Sequence, residues 1–193
     1  MSETAAPTVL VVEDERHLAD LFAGWLEEHY PVRKAYDGDE AIEAIDDAVD
    51  VVLLDRRMPG LSGDEVLETI RERGIDCKVA MVTAVEPDFD ILEMGFDDYL
   101  VKPVSFQEIV DTVERLAARR TYDEQLDEYA RLLSKRVSLE SEKSRRQLAV
   151  SEEFAELESR IDDLGTNVDQ MVEGFDDDDV AAVMHDLPSG RGG

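Results

Sequence analysis

Two short runs without a polar residue, Val9-Leu10-Val11-Val12 and Val51-Val52-Leu53-Leu54, constrain this chain most. A strand sends successive side chains to opposite faces, so a strand apolar at every position must be buried on both. A parallel sheet covered by helices on either side meets that requirement. The intervening segments supply the helices. Apolar residues recur at helical spacing over His17 to Glu28, Asp39 to Asp47, Asp64 to Arg73, Asp88 to Met94 and Ser105 to Ala118. Ser105 and Glu108 are spaced as a capping box for the last of these. Further strands are expected at Val32 to Tyr36, Val79 to Val82 and Tyr99 to Val101. Five such units predict a doubly wound α/β sheet of order 2-1-3-4-5. Its ligand site belongs at the carboxyl ends of strands 1 and 3, where the winding reverses.

Those ends carry acids. Strand 1 runs into Glu13-Asp14 and strand 3 into Asp55, so three carboxylates are expected in one crevice. Like charges at that range need a cation or raised pKa values. The donors are all hard oxygens, which points to Mg²⁺, an ion that keeps waters and accepts phosphate oxygens. A carboxylate can also act as a nucleophile and form an acyl phosphate. Strand 4 ends at Thr83, a hydroxyl, and strand 5 at Lys102, an ammonium, both suited to phosphoryl oxygens. The alternative is a Mg²⁺-dependent phosphatase with an Asp nucleophile. Such an enzyme needs a second acid two positions on, where this chain has Arg57.

Taken in order, Glu13-Asp14, Asp55 in D-R-R-M-P-G-L-S-G, Thr83-Ala84 and G-F-D-D-Y-L-V-K-P resemble a response-regulator receiver domain over about the first 118 residues. The resemblance implies a flavodoxin-like sheet and Asp55 as the residue phosphorylated by a histidine kinase. It implies Asp14 as a direct Mg²⁺ ligand, Glu13 as a direct or water-mediated one, and the Arg57 backbone carbonyl as a further ligand. Lys102, Thr83 and Ala84 would contact the phosphoryl group, with Tyr99 as the coupled aromatic switch and a cis peptide before Pro103. One stretch departs from the family. Thr83 to Gly95 is shorter by about one helical turn and contains Pro87, so the fourth helix must be short or displaced. The family's usual dimer surface is therefore in question and the oligomeric state is left open.

After residue 120 no strand-like run occurs. Leu126, Tyr129, Leu133 and Val137 form one helical stripe, and Phe154, Leu157, Ile161, Leu164, Val168 and Met171 another. Two helices with a loop or short turn between them are expected, Ser144 and Ser151 being placed as N-caps. The region resembles the HalX domain, found fused to receivers in haloarchaea. The expected division is a disordered N-terminus over 1–7, a receiver over 8–118, a helical HalX-like output domain over 119–173 and an acidic flexible tail over 174–193.

Charge bounds the partners. The chain holds 48 Asp+Glu and 20 Lys+Arg, a net −28, with only five lysines. That composition suits a protein kept soluble in concentrated salt, where screening relieves self-repulsion. It excludes the whole chain as a nonspecific nucleic-acid or anionic-membrane binder. Residues 131–146 are the exception at net +4, followed by net −12 over 147–190. Two readings stand: the helices form an antiparallel hairpin with the basic stretch facing the acidic helix, or the stretch contacts DNA or an acidic protein. No signal-peptide pattern or membrane span is visible, so a cytoplasmic protein without membrane contact is expected. A lone Cys77 permits no internal disulfide and reads as a small buried hydrophobe.

Overall fold

The structure, a computed structural model, describes residues 6–174. Its elements follow the expected alternation: β1 (Val9–Val12), α1 (Arg16–Leu26), β2 (Val32–Ala35), α2 (Gly38–Ala44), β3 (Val51–Leu54), α3 (Gly63–Glu72), β4 (Lys78–Thr83), a 3-10 turn (Phe89–Glu93) and β5 (Asp98–Val101). A long α4 (Phe106–Glu142), a short α5 (Arg145–Ala149) and α6 (Glu152–Gly174) complete the chain. The five strands are all parallel in the order β2-β1-β3-β4-β5.

The sheet is buried on both faces because its strands alternate. Leu10, Val12, Val52, Leu54, Val79 and Met81 face one core with Ala41 of α2 and Val66, Leu67 and Ile70 of α3. Val9, Val11, Val51, Leu53, Ala80 and Val82 face the other, with Phe22 and Leu26 of α1 and Ile109, Val113 and Leu116 of α4. Each fully buried Val, Leu or Ile contributes roughly 1.5–3 kcal/mol, so the central strands fix the register. In that register Val12, Leu54 and Met81 are neighbours, and the residues after them open at one edge of the sheet.

Helix starts are set by side chains. Ser62 and Glu65 form a capping box at α3, and Ser105 with Glu108 forms the expected one at α4. Gly63 packs so closely under β3 that a Cβ there would lie 2.1 Å from the Asp55 carbonyl oxygen. Gly74, with φ of +68°, ends α3 in the left-handed region.

Two expectations need correction. In place of the α-helix expected over 88–94 stands a 3-10 turn, Phe89–Glu93, with no buried residue, because Pro87 and the shortened stretch leave no room for an amphipathic turn. The helix expected to end near Ala118 continues to Glu142 as one α-helix. Neither Gly nor Pro interrupts residues 104–142, so nothing breaks the hydrogen-bond ladder.

The described residues divide into two compact units at Arg120–Thr121, inside α4. In the second unit α4 and α6 run antiparallel. Glu128 pairs with Arg160 at 3.0 Å, Tyr129 packs on Gly165, and Glu140 shares a small cavity with Phe154 and Glu158. Ser144 caps α5 in a capping box with Gln147, and the Ser151 hydroxyl accepts from the Phe154 N–H at the start of α6. The cross-helix pair has its acid on α4 and its base on α6, the reverse of the expected polarity. Arg131, Lys135, Lys143, Arg145 and Arg146 are exposed and make no ion pair with a described residue. The expected N-terminal lead over 1–7 and acidic tail over 174–193 fall almost wholly outside the described residues.

Candidate functional site

The site is assembled by four strand ends. Glu13 and Asp14 follow β1, Asp55 follows β3, Thr83 ends β4 and Lys102 follows β5. Carboxylate oxygens of Glu13, Asp14 and Asp55 all lie within 4.8 Å of one another. Glu13 is 2% exposed and Asp55 6%, while Asp14 is exposed. Lys102 reaches in from the side: its Nζ lies 2.5 Å from Glu13 Oε2 and 3.4 Å from Asp55 Oδ2. Burial pushes the Glu13 carboxyl above its ordinary value. Lys102 pulls the other way, and the charge of Asp55 adds to the rise.

Three carboxylates against one ammonium leave the crevice short of positive charge. A hard divalent cation fits that donor set: oxygen ligands, two of them buried, close enough to share one ion. The backbone around Asp55 is held firmly. Its N–H donates to the Val12 carbonyl at 2.9 Å, and the Gly63 N–H donates to the Arg56 carbonyl at 2.9 Å.

The other expected residues fall around this centre. Thr83 is buried, and its hydroxyl accepts from the Val85 N–H at 3.3 Å. Ala84 is exposed at the start of the following loop. The Tyr99 hydroxyl donates to the Val85 carbonyl at 2.8 Å, its ring tilted against Phe96. The Lys102–Pro103 peptide is cis. Arg57, exposed, points its N–H at Asp55 Oδ1 over 3.4 Å.

One participant had no sequence signal. Arg56, 12% exposed, donates from Nε to both Asp64 carboxylate oxygens at 3.0 and 3.2 Å and pairs through its terminal nitrogen with Asp90. The Asp90 carboxylate, Tyr99 and Asp64 keep its guanidinium charged. Its partners lie 8 and 34 residues away on two other elements, so no pattern within one helix or strand links them. An arginine after a strand is commonly just a solvated loop residue, so composition offers no cue.

The family model for the response regulator receiver domain matches residues 9–114, and that for the HalX domain matches residues 118–184. A Haloferax volcanii protein described as a candidate transcriptional regulator is 52% identical over 82% of this chain and 27% of its own length. The transcriptional regulatory protein CutR of Streptomyces coelicolor is 45% identical over 58% of this chain and 54% of its own. Among solved structures, response regulator TrrA of Thermotoga maritima, in complex with Mg(2+)-BeF, is similar with a TM-score of 0.50. It is 34% identical, covering 57% of this chain and 98% of that one. The chain thus spans about a quarter of the haloarchaeal relative and about half of the bacterial one.

Proposed function

Because the chain belongs to the response-regulator receiver family and carries a HalX domain behind its receiver, we propose that it is a cytoplasmic two-component response regulator whose Asp55 accepts a phosphoryl group from a histidine kinase. The observation that carries this reading is the gathering of Glu13, Asp14 and Asp55 within 4.8 Å beside the Lys102 ammonium.

In the proposed transfer an Asp55 carboxylate oxygen attacks the phosphorus of a kinase phosphohistidine. The P–O bond forms as the P–N bond breaks; the imidazole nitrogen leaves with the electron pair and takes up a proton from solvent. Glu13, Asp14, Asp55 and the Arg57 carbonyl would hold Mg²⁺. When bound, the ion supplies positive charge to the phosphoryl oxygens. Lys102 would add a second positive charge for the phosphoryl oxygens, its ammonium already lying 3.4 Å from Asp55. In this scheme the Thr83 hydroxyl and the Ala84 N–H would donate to a phosphoryl oxygen. Tyr99 would report their movement through its bond to Val85. In this reading the chain is a phosphoacceptor and not an enzyme, and any return of the group to water would be its own dephosphorylation. That the similar response regulator TrrA forms a complex with Mg(2+)-BeF supports a Mg²⁺-dependent reading.

Incubation with acetyl phosphate, followed by intact-mass measurement, tests the reading. One phosphoryl group should be gained with Mg²⁺ present and none with EDTA. Equal gain in both would remove the metal from the scheme.

A second reading concerns output. The five exposed bases among residues 131–146 that make no ion pair with a described residue, and the transcriptional names of the relatives, favour contact with DNA or the transcription machinery. The acidic α6 alongside and concentrated salt both oppose phosphate contact. Footprinting with and without phosphorylation decides it: protection that needs the phosphorylated form and is lost in Arg145→Ala/Arg146→Ala would establish this role.

A further inference from the structure

We infer that Arg56 and Asp90 form a latch that holds residues 85–93 against the phosphorylation crevice and so sets the rate at which Asp55 gains and loses its phosphoryl group. The inference rests on Asp55 being the acceptor and concerns what controls it.

The segment has little else to hold it. No side chain of the 3-10 turn is buried, and Phe89 is 85% exposed. Its own hydrogen bonds are local: Asp88 caps Phe89, and the Ile91 and Met94 N–H groups close single turns. Among the described residues, Val85 is tied to the strands by its N–H on the Thr83 hydroxyl and by the Tyr99 hydroxyl on its carbonyl, both at the first residue of the segment; the tie on the turn itself is Arg56 on Asp90.

Arg56 is the right residue for such a tie. It follows Asp55 directly, and its carbonyl is fixed by the Gly63 N–H. Asp64 orients the guanidinium from one side, so the terminal nitrogen is presented to Asp90. A cavity of about 590 Å³ lies between the two loops, lined by Arg56, Met58, Asp64, Val85 and Asp90 among others. Val85 follows Thr83-Ala84, the pair proposed to meet the phosphoryl group, and its N–H is bonded to the Thr83 hydroxyl, so freeing the segment loosens that wall of the crevice. Asp90 is 52% exposed on its side chain, so the tie is weak enough to open in the native state.

The test compares Asp90→Asn with Asp64→Asn in the full chain. Both remove one carboxylate from Arg56, but only the first unties the segment. Hydrogen exchange of residues 86–93, measured without any phosphodonor, should quicken in Asp90→Asn and not in Asp64→Asn. The rate of phosphorylation by acetyl phosphate and the rate of its loss should both rise about two- to fivefold in Asp90→Asn, the change a half-exposed ion pair can impose on an opening equilibrium. Asp64→Asn should stay within about twofold by the same scale, and Asp90→Glu should restore the slow rates. Unchanged exchange in Asp90→Asn would overturn the latch. Faster exchange with unchanged rates would overturn its control of Asp55. Failure of the wild type to take up a phosphoryl group would overturn the acceptor reading, and this inference with it, while the exchange result would still show whether the segment is tied.

Discussion

Single residues carry this site in two ways, by chemistry and by leaving room. Gly63 leaves room: any Cβ would strike the Asp55 carbonyl, which is backbone and cannot swing aside. Gly63→Ala should therefore cost about 2–3 kcal/mol by denaturant unfolding and slow phosphorylation, because the shift falls on Asp55 itself. Cys77 illustrates the opposite case. Burial pushes its thiol up to about 11, so almost no thiolate forms near neutrality. A thiol reagent at pH 8 should leave it untouched in the folded protein and label it fully in denaturant; rapid labelling of the native form would refute the buried placement. Most chemical residues were legible because each sits directly after an apolar run, as Glu13 follows Val12 and Asp55 follows Leu54. Arg56 was not, because its role comes from two carboxylates brought near only by folding.

At the scale of elements, strands were legible and the last helix was not. Continuous apolar runs specify buried strands whatever surrounds them, and the observed order places Glu13 beside Asp55 as expected. The extent of α4 escaped because its apolar repeat changes register near residues 118–121. Ile109, Val113 and Leu116 follow one phase, while Leu126, Tyr129 and Leu133 follow another. At about 100° per residue the two stripes do not merge, so they read as separate helices. The backbone feels no such break. Ser105→Ala should cost about 1 kcal/mol, since the Ser105 hydroxyl and Glu108 satisfy each other's backbone N–H groups at the helix start. The pH dependence follows in sign. The backbone N–H of Ser105, then its hydroxyl, lowers the Glu108 carboxyl below its ordinary 4.5. A depressed folded value means stability fully present above 4.5 and lost as pH falls through the folded value. The difference in Tm between wild type and Ser105→Ala should thus shrink on acidification below that range. A difference that stays constant would place the stabilisation elsewhere.

For the whole molecule, charge dominates. Net charge divides as −17 over residues 1–120 and −11 over 121–193, and the carboxylate crevice accounts for three of the 48 acids. The remainder repel one another in dilute buffer, and screening removes that cost. Thermal unfolding should therefore shift upward as KCl is raised into the molar range; a Tm independent of salt would show that the acidic surface is not under strain. The described residues contain no helix long and apolar enough to cross a membrane. The two units differ in how they are held. The first is stitched by a five-stranded sheet, the second by the antiparallel pairing of α4 and α6 around Phe154, Ile161, Leu164 and Val168.

The proposed function rests on Asp55 as the phosphoryl acceptor, and chemical mapping of that carboxylate is its most direct test. The protein is treated with acetyl phosphate and Mg²⁺ in high salt and reduced with borohydride, which converts an aspartyl phosphate to homoserine. It is then digested and sequenced by mass spectrometry. Homoserine at position 55 alone, absent from Asp55→Asn, is the expected result. Homoserine at another aspartate, or an equal yield of phosphorylated Asp55→Asn, would contradict it.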